Sequence, residues 1–224
     1  MKEAFAALSG LAAMTVLSAS ALAAGPNGAT AHADGRTTIA TGANTAVVPR
    51  QSLGIDGLKE IYSTFNTDPN NAYDCCSGWT VSAEGSIVGA RQDVAMPFTP
   101  GANYAVKTIN VAVGYVTGTN GVTVSLNADA GGVPGAVIKK GAITGLPVFG
   151  TCCVTVAMNA KLSPVNSGTQ YWVVVKTDKK TADTWDAWNM NNVGAQGLFA
   201  YNTGAGWQAT SGPLGAFNVL GKKL

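Results

Sequence analysis

Apolar residues recur at every second position through much of the chain after residue 100. "INVAVGYV" places Ile109, Val111, Val113 and Tyr115 on one face, alternating with small or polar residues. "GVTVSLN" sets Val122, Val124 and Leu126 against Thr123 and Ser125, and "CVTVAM" repeats the alternation with Val154 and Val156. A period of two belongs to a β-strand with one face on a core. "YWVVVKT" is a denser apolar run and reads as a central strand buried on both faces. Turn-forming clusters punctuate these segments: "TPGAN", "TGTNG", "DAGGVPG", "SPVNSGT" and "NTGAG". Roughly nine to eleven strands are expected between Ile61 and Leu220. No window of ten residues carries a convincing helical stripe, and the best candidate, "GIDGLKEIYSTF", is broken by Gly57. The pattern predicts an all-β sandwich or barrel, and the length suits one antiparallel β-sandwich domain over residues 58–224.

The N-terminus follows another pattern. "MKEAFAALSGLAAMTVLSASALAA" has Lys2, then an apolar run, then small residues, as a signal peptide over residues 1–24 does. Ala21-Leu22-Ala23 offers a cut before Ala24, and Ala31-His32-Ala33 a later one before Asp34. Residues 25–57 are rich in Gly, Ala, Thr and Asn and read as an extended or flexible arm with one short strand near Thr45–Val48. No other segment approaches the ~20 apolar residues of a membrane span. The expected location is therefore secreted or at the cell surface.

Composition narrows the function classes. Charged residues are only 12%, about half the usual share, and the net charge of +2 provides no basic stripe for nucleic acid. The one histidine, His32, stands in or beside the leader. Ser-His-Asp and Cys-His nucleophile systems and His-ligated metal sites all need an imidazole and are disfavoured. Two facing carboxylates, as in glycoside hydrolysis, are the remaining catalytic option. Most aspartates stand in turn contexts instead, such as Asp68 before Pro69, Asp129 before Ala130-Gly131-Gly132 and Asp178 before Lys179. Asn127 and Asp129 in "NADAGG" cannot supply the six to eight oxygens of a calcium site from one short turn. No catalytic residue, cofactor or metal is expected, and the chain reads as a non-enzyme.

Trp185 and Trp188 in "TADTWDAWN" are three apart and cannot both point inward from one regular strand. One of them is expected to face solvent beside Asp186 and Asn189, the arrangement of a sugar-binding surface. Trp185, Asp186, Trp188 and Asn189 are the candidate ligand-binding residues.

The four cysteines form two doublets, Cys75-Cys76 and Cys152-Cys153. Adjacent thiolates chelate zinc poorly, C-x-x-C redox spacing is absent, and export favours disulfides. Bridges from one doublet to the other are expected, paired either 75–152 with 76–153 or 75–153 with 76–152. The first such bridge closes a loop of about 77 residues and is worth roughly 4 kcal/mol in the chain-entropy model.

From Val94 to Trp207 the order of "VAMPFTPGANYAVKTINVAVGYVTGTNGVTVSLNADAGGVPGAVI", "LSPVNSGTQYWVVV", "TWDAWNMNN" and "LFAYNTGAGW" resembles the choice-of-anchor type of secreted bacterial domain. That resemblance implies a jelly-roll-like sandwich on a bacterial surface with a non-enzymatic role. Members often carry a C-terminal sorting tail, whereas "FNVLGKKL" shows none, which makes release to the medium or periplasm an alternative to anchoring. The expected function is a surface, matrix or adhesion-type module. Its alternatives are a carbohydrate-binding module, with a glycan or another extracellular protein as partner, and a self-associating subunit whose arm adds a strand to a neighbour.

Overall fold

The structure is a computed structural model and describes residues 21–40 and 57–224. Three short strands come first: β1 (Ala21–Ala24), β2 (Ala29–His32) and β3 (Arg36–Ile39). Thirteen follow: β4 (Lys59–Ser63), β5 (Ser77–Ser82), β6 (Asp93–Phe98), β7 (Tyr104–Val111), β8 (Val113–Thr117), β9 (Gly121–Asp129), β10 (Pro134–Thr144), β11 (Val156–Val165), β12 (Tyr171–Lys176), β13 (Trp185–Asn189), β14 (Gln196–Asn202), β15 (Trp207–Pro213) and β16 (Phe217–Lys223). Among the described residues the only helical elements are three 3-10 turns, two of them capped by Asp68 and Asp178. The candidate helix lies partly outside the described residues; its end, Lys59–Ser63, is β4, because Ile61 and Tyr62 pack on the core as strand residues.

The strands form three sheets, ordered β1-β2-β3-β5-β13-β8, β10-β9-β12-β6-β14-β15 and β11-β7-β16-β4. All the strand pairs are antiparallel. The expected continuous strand "INVAVGYV" breaks at Ala112, whose N–H donates to Ala216 O at 3.0 Å and whose carbonyl accepts from Asn189 N–H at 2.8 Å. There the chain passes from the four-stranded sheet into the sheet of β13. The two sheets thereby make one layer, which faces the β10–β15 sheet. The main core lies between them: Val94, Met96, Val124, Leu126 and Val173 from one side, Ile109, Val111, Val81 and Trp188 from the other. β12 is the central strand the apolar run predicts, paired to β6 and β9 and buried over Tyr171–Val175. Its Trp172 and Val174 face away from the main core into a smaller cluster with Ala95 and Ala200. The architecture is an all-β sandwich.

The stretch expected as an arm begins as part of the domain. β2 and β3 form a hairpin, and β3 pairs with β5 in register Arg36↔Trp79 and Thr38↔Ser77. Alternation explains it, because Ala29, Ala31, Thr37 and Ile39 are buried while their neighbours are not. In residues 21–39 strand addition therefore occurs within the chain itself. The strand expected near Thr45–Val48 and residues 1–20 of the leader expected over 1–24 lie outside the described residues, whereas its last four residues, Ala21–Ala24, are β1.

Candidate functional site

The Trp185–Asn189 segment is not a solvent face. Trp185, Asp186 and Trp188 are completely buried and Asn189 nearly so. The premise that two tryptophans three apart cannot both be inside fails because β13 is covered on both faces. Trp188 enters the main core, with its Nε1–H donating to Ala216 O at 3.0 Å. Trp185 points the other way, into a second core with Ala29, Ala31, Ile39 and Phe149. Its Nε1–H donates to Thr37 Oγ1 at 3.0 Å, and Gly25 lies so close that a Cβ there would meet the ring at 2.6 Å. The N-terminal hairpin supplies the cover that the sequence pattern alone did not show. Asn189 donates to Asp74 O at 2.9 Å, a structural bond. Asp186 lies opposite Val81 and Tyr115 with neither carboxylate oxygen hydrogen-bonded in normal geometry. Burial pushes its carboxyl well above the ordinary range, and only the Val116 backbone N–H pulls against that.

The cysteines form one bridge, not two. Cys75 and Cys152 are joined, with Cα atoms 5.3 Å apart, while Cys76 and Cys153 are free thiols. Neighbouring side chains diverge at the first doublet: Cys75 packs with Phe65, Tyr73 and Cys153, whereas Cys76 packs against the core around Trp185. Cys76 and Cys153 are therefore on different sides. The turn aspartates behave as turn chemistry expects. Asp129 accepts from the N–H groups of Gly131 and Gly132, and also from Trp172 Nε1 at 2.7 Å and Gln170 Nε2 at 2.9 Å. Those donors occupy the oxygens a calcium ion needs.

The concavity best suited to a ligand is a cleft of about 420 Å³ between the β2–β3 hairpin tip and the β14–β15 edge. Trp79, Phe199 and Tyr201 form its aromatic floor, and Asp34, Gln92, Thr203, Thr210 and Ser211 contribute polar groups. Phe199 and Tyr201 share a face because they are two apart in β14, and the Trp79 and Phe199 ring centroids are 4.2 Å apart. Trp79 Nε1–H donates to Pro213 O at 2.9 Å, which ties the floor to β15. Tyr201 is half-buried, the most accessible of the three rings, and its hydroxyl donates to Gln208 Oε1 at 3.0 Å.

The hairpin wall is held in place from both sides. Gly35 sits at φ +81° and accepts from Thr80 N–H at 2.9 Å and Gln92 Nε2 at 2.8 Å. The positive φ favours glycine, and a Cβ there would meet Gln92 Oε1 at 2.8 Å and push aside the amide that holds the hairpin. Gln92, which lines the cleft, spends its amide hydrogens on Gly35 O and Thr80 O, so its Oε1 is left as an unused acceptor. Asp34 takes the Arg36 guanidinium at 2.5 Å. Partial burial pushes the Asp34 carboxyl up, but the Arg36 bonds outweigh it and hold the group below the ordinary range, so it is an anionic acceptor at neutral pH. A second, more open concavity of about 640 Å³ is lined by Glu84, Arg91, Lys176 and Asp178 and has no aromatic floor.

The sequence reading singled out none of these cleft residues as ligand-binding. The available signal was "FAYN", whose alternation places Phe199 and Tyr201 on one face. Asp34 and Gln92 were not findable, because they meet only through tertiary pairing.

No family model matches this chain, and no curated protein does. Among solved structures it is similar to the cysteine protease and lectin-like domains of Cwp84, a surface layer associated protein of Clostridium difficile, at 9% identity and a TM-score of 0.41. That likeness covers 74% of this chain and 50% of the other, so the chain spans about half of its length. So distant a likeness says nothing about ligand or chemistry. Among the described residues no helix is long and apolar enough to cross a membrane.

Proposed function

We propose that this chain is an exported, surface- or matrix-type β-sandwich module that acts by binding carbohydrate in the Trp79–Phe199–Tyr201 cleft. One observation carries the reading: an aromatic floor on strands β5 and β14 lies beside an anionic carboxylate in the β2–β3 turn, an amide oxygen and several hydroxyls. A pyranose has an apolar face that stacks on a ring and hydroxyls that need such acceptors and donors. Tyr201 is the stacking platform, with Trp79 and Phe199 supporting it from below. Asp34 accepts from neighbouring sugar hydroxyls, and Gln92 Oε1 accepts from a further one. One carboxylate lines the cleft, which suits binding and lacks the second acid of a glycosidase. The signal-peptide pattern and low charge support an exported location, and display and release both fit this role.

The test is a broad glycan array probed with the purified chain, followed by Tyr201→Ala and Asp34→Ala. The expected result is a restricted set of hits. Tyr201→Ala should weaken each by about 2 kcal/mol, roughly 30-fold in Kd, with unchanged thermal stability. Hits that survive both substitutions, or an array silent across all glycan classes, would overturn the proposal.

A further inference from the structure

Three of the four sulfurs converge, and one of them is a free thiol. The Sγ atoms of Cys75, Cys152 and Cys153 all lie within 4.8 Å of one another. Adjacent residues in regular strand backbone point apart. Cys153 escapes that rule through a left-handed φ of +81°, which brings its sulfur back beside that of Cys152. The thiol is fully buried with Phe65, Ala72, Tyr73 and Ala216. Its position is held by a small network: Ala72 N–H donates to Cys153 Sγ at 3.3 Å, Cys153 N–H donates to Tyr73 Oη at 3.2 Å, and Tyr73 O–H donates to Val154 O at 2.9 Å. Cys152, unlike Cys153, is half-exposed.

We propose that Cys153 is an internal exchange nucleophile for the Cys75–Cys152 bridge, and that Cys152 is thereby a concealed covalent modification site. The Cys153 thiolate attacks Cys75 Sγ; the 75–153 bond forms, the 75–152 bond breaks, and Cys152 leaves as a thiolate. The proton Cys153 released ends on Cys152, or on solvent while Cys152 reacts. One disulfide is present before and after, so no oxidant or reductant is consumed. Attack on Cys152 instead would join adjacent residues in a small strained ring, so Cys75 is the productive target. The cross-link between distant segments persists, but the free thiol moves from a sealed position to a half-exposed one. From there Cys152 reacts with an external disulfide, forming a mixed disulfide and expelling one thiolate of that reagent. Cys76 takes no part, because its side chain lies on the other side, in the Trp185 core.

The test uses the wild-type chain under native conditions at pH 8. Cys76, which is partly exposed, is first blocked by brief treatment with light N-ethylmaleimide. A long chase with isotopically heavy reagent follows, with acid quench and non-reducing peptide mapping. The expected result is heavy label on Cys152 with a 75–153 linked peptide, at a rate independent of reagent concentration. Cys153→Ser should lower heavy labelling of Cys152 by more than about tenfold, since the attacking thiolate is gone. Heavy label on Cys153 with the 75–152 link intact would show simple opening and overturn the proposal. Absence of heavy label after a chase of days would overturn it equally.

Discussion

Replacing Asp186 with Asn turns the most anomalous group of the core into a measurement. The Asp186 carboxyl is completely buried between Val81 and Tyr115, and its oxygens lack normal hydrogen bonds. Burial raises its affinity for a proton far above that of the unfolded chain, where an Asp titrates near pH 3.9. Below about pH 4 both states hold the proton and the group costs nothing extra. As pH rises past that value the unfolded chain releases its proton while the folded chain keeps it. Stability then falls by up to about 1.4 kcal/mol per pH unit until the folded carboxyl itself ionises. Asn is nearly the same shape and binds no proton in this range. Over the pH range in which the folded carboxyl keeps a proton that the unfolded chain has released, the wild type should lose stability relative to Asp186→Asn at up to about 1.4 kcal/mol per pH unit, with Tm falling in step. Asp93, also raised by burial against the pull of Arg91, is present in both proteins and cancels in the difference. Urea titrations followed by tryptophan fluorescence at several pH values give the two curves. Parallel curves, within about 0.5 kcal/mol, would mean that Asp186 is already ionised in the folded state and would refute the argument.

Three further outcomes follow from the same structure. Removing the bridge with Cys75→Ser and Cys152→Ser together releases a 77-residue loop and should cost about 4 kcal/mol, seen as a lower urea midpoint with a similar slope. Trp188→Ala opens a cavity in the main core and should cost about 3–5 kcal/mol, whereas Tyr201→Ala at the cleft should change stability by less than about 1 kcal/mol. Amino-terminal sequencing of exported material should find Ala24 rather than Asp34, because a cut before Asp34 removes Ala29 and Ala31, which are buried against Trp185.

Much of the fold was legible because a half-buried strand writes its own period into the chain. Val122, Val124 and Leu126 face the core as their alternation requires, and the unbroken run of β12 marks the central strand. Asp68, Asp129 and Asp178 were legible for a similar reason, since an Asp in a tight turn bonds to backbone two or three residues away. These are local effects, and a local pattern suffices to read them.

The remaining features depend on what lies across from each residue, which no local pattern records. Trp185 and Trp188 alternate as a two-sided strand should, but only the N-terminal hairpin decides that the Trp185 side is buried rather than wet. The doublets offered two pairings; the structure makes one bridge because Cys75 and Cys76 diverge while a positive φ folds Cys153 back onto Cys152. Asp34, Gln92, Trp79 and Tyr201 come from four separate segments and become a cleft only when β3 pairs with β5 and β14 with β6. The sequence by itself determined the all-β class, many of the strands though not their number (thirteen from Lys59 to Lys223 against the nine to eleven expected), the turns and the low-charge, histidine-poor chemistry, because those follow from each residue and its near neighbours. The tertiary structure alone decided which aromatic rings are covered, which sulfurs meet and where a ligand fits, because burial and proximity arise from pairings between distant segments.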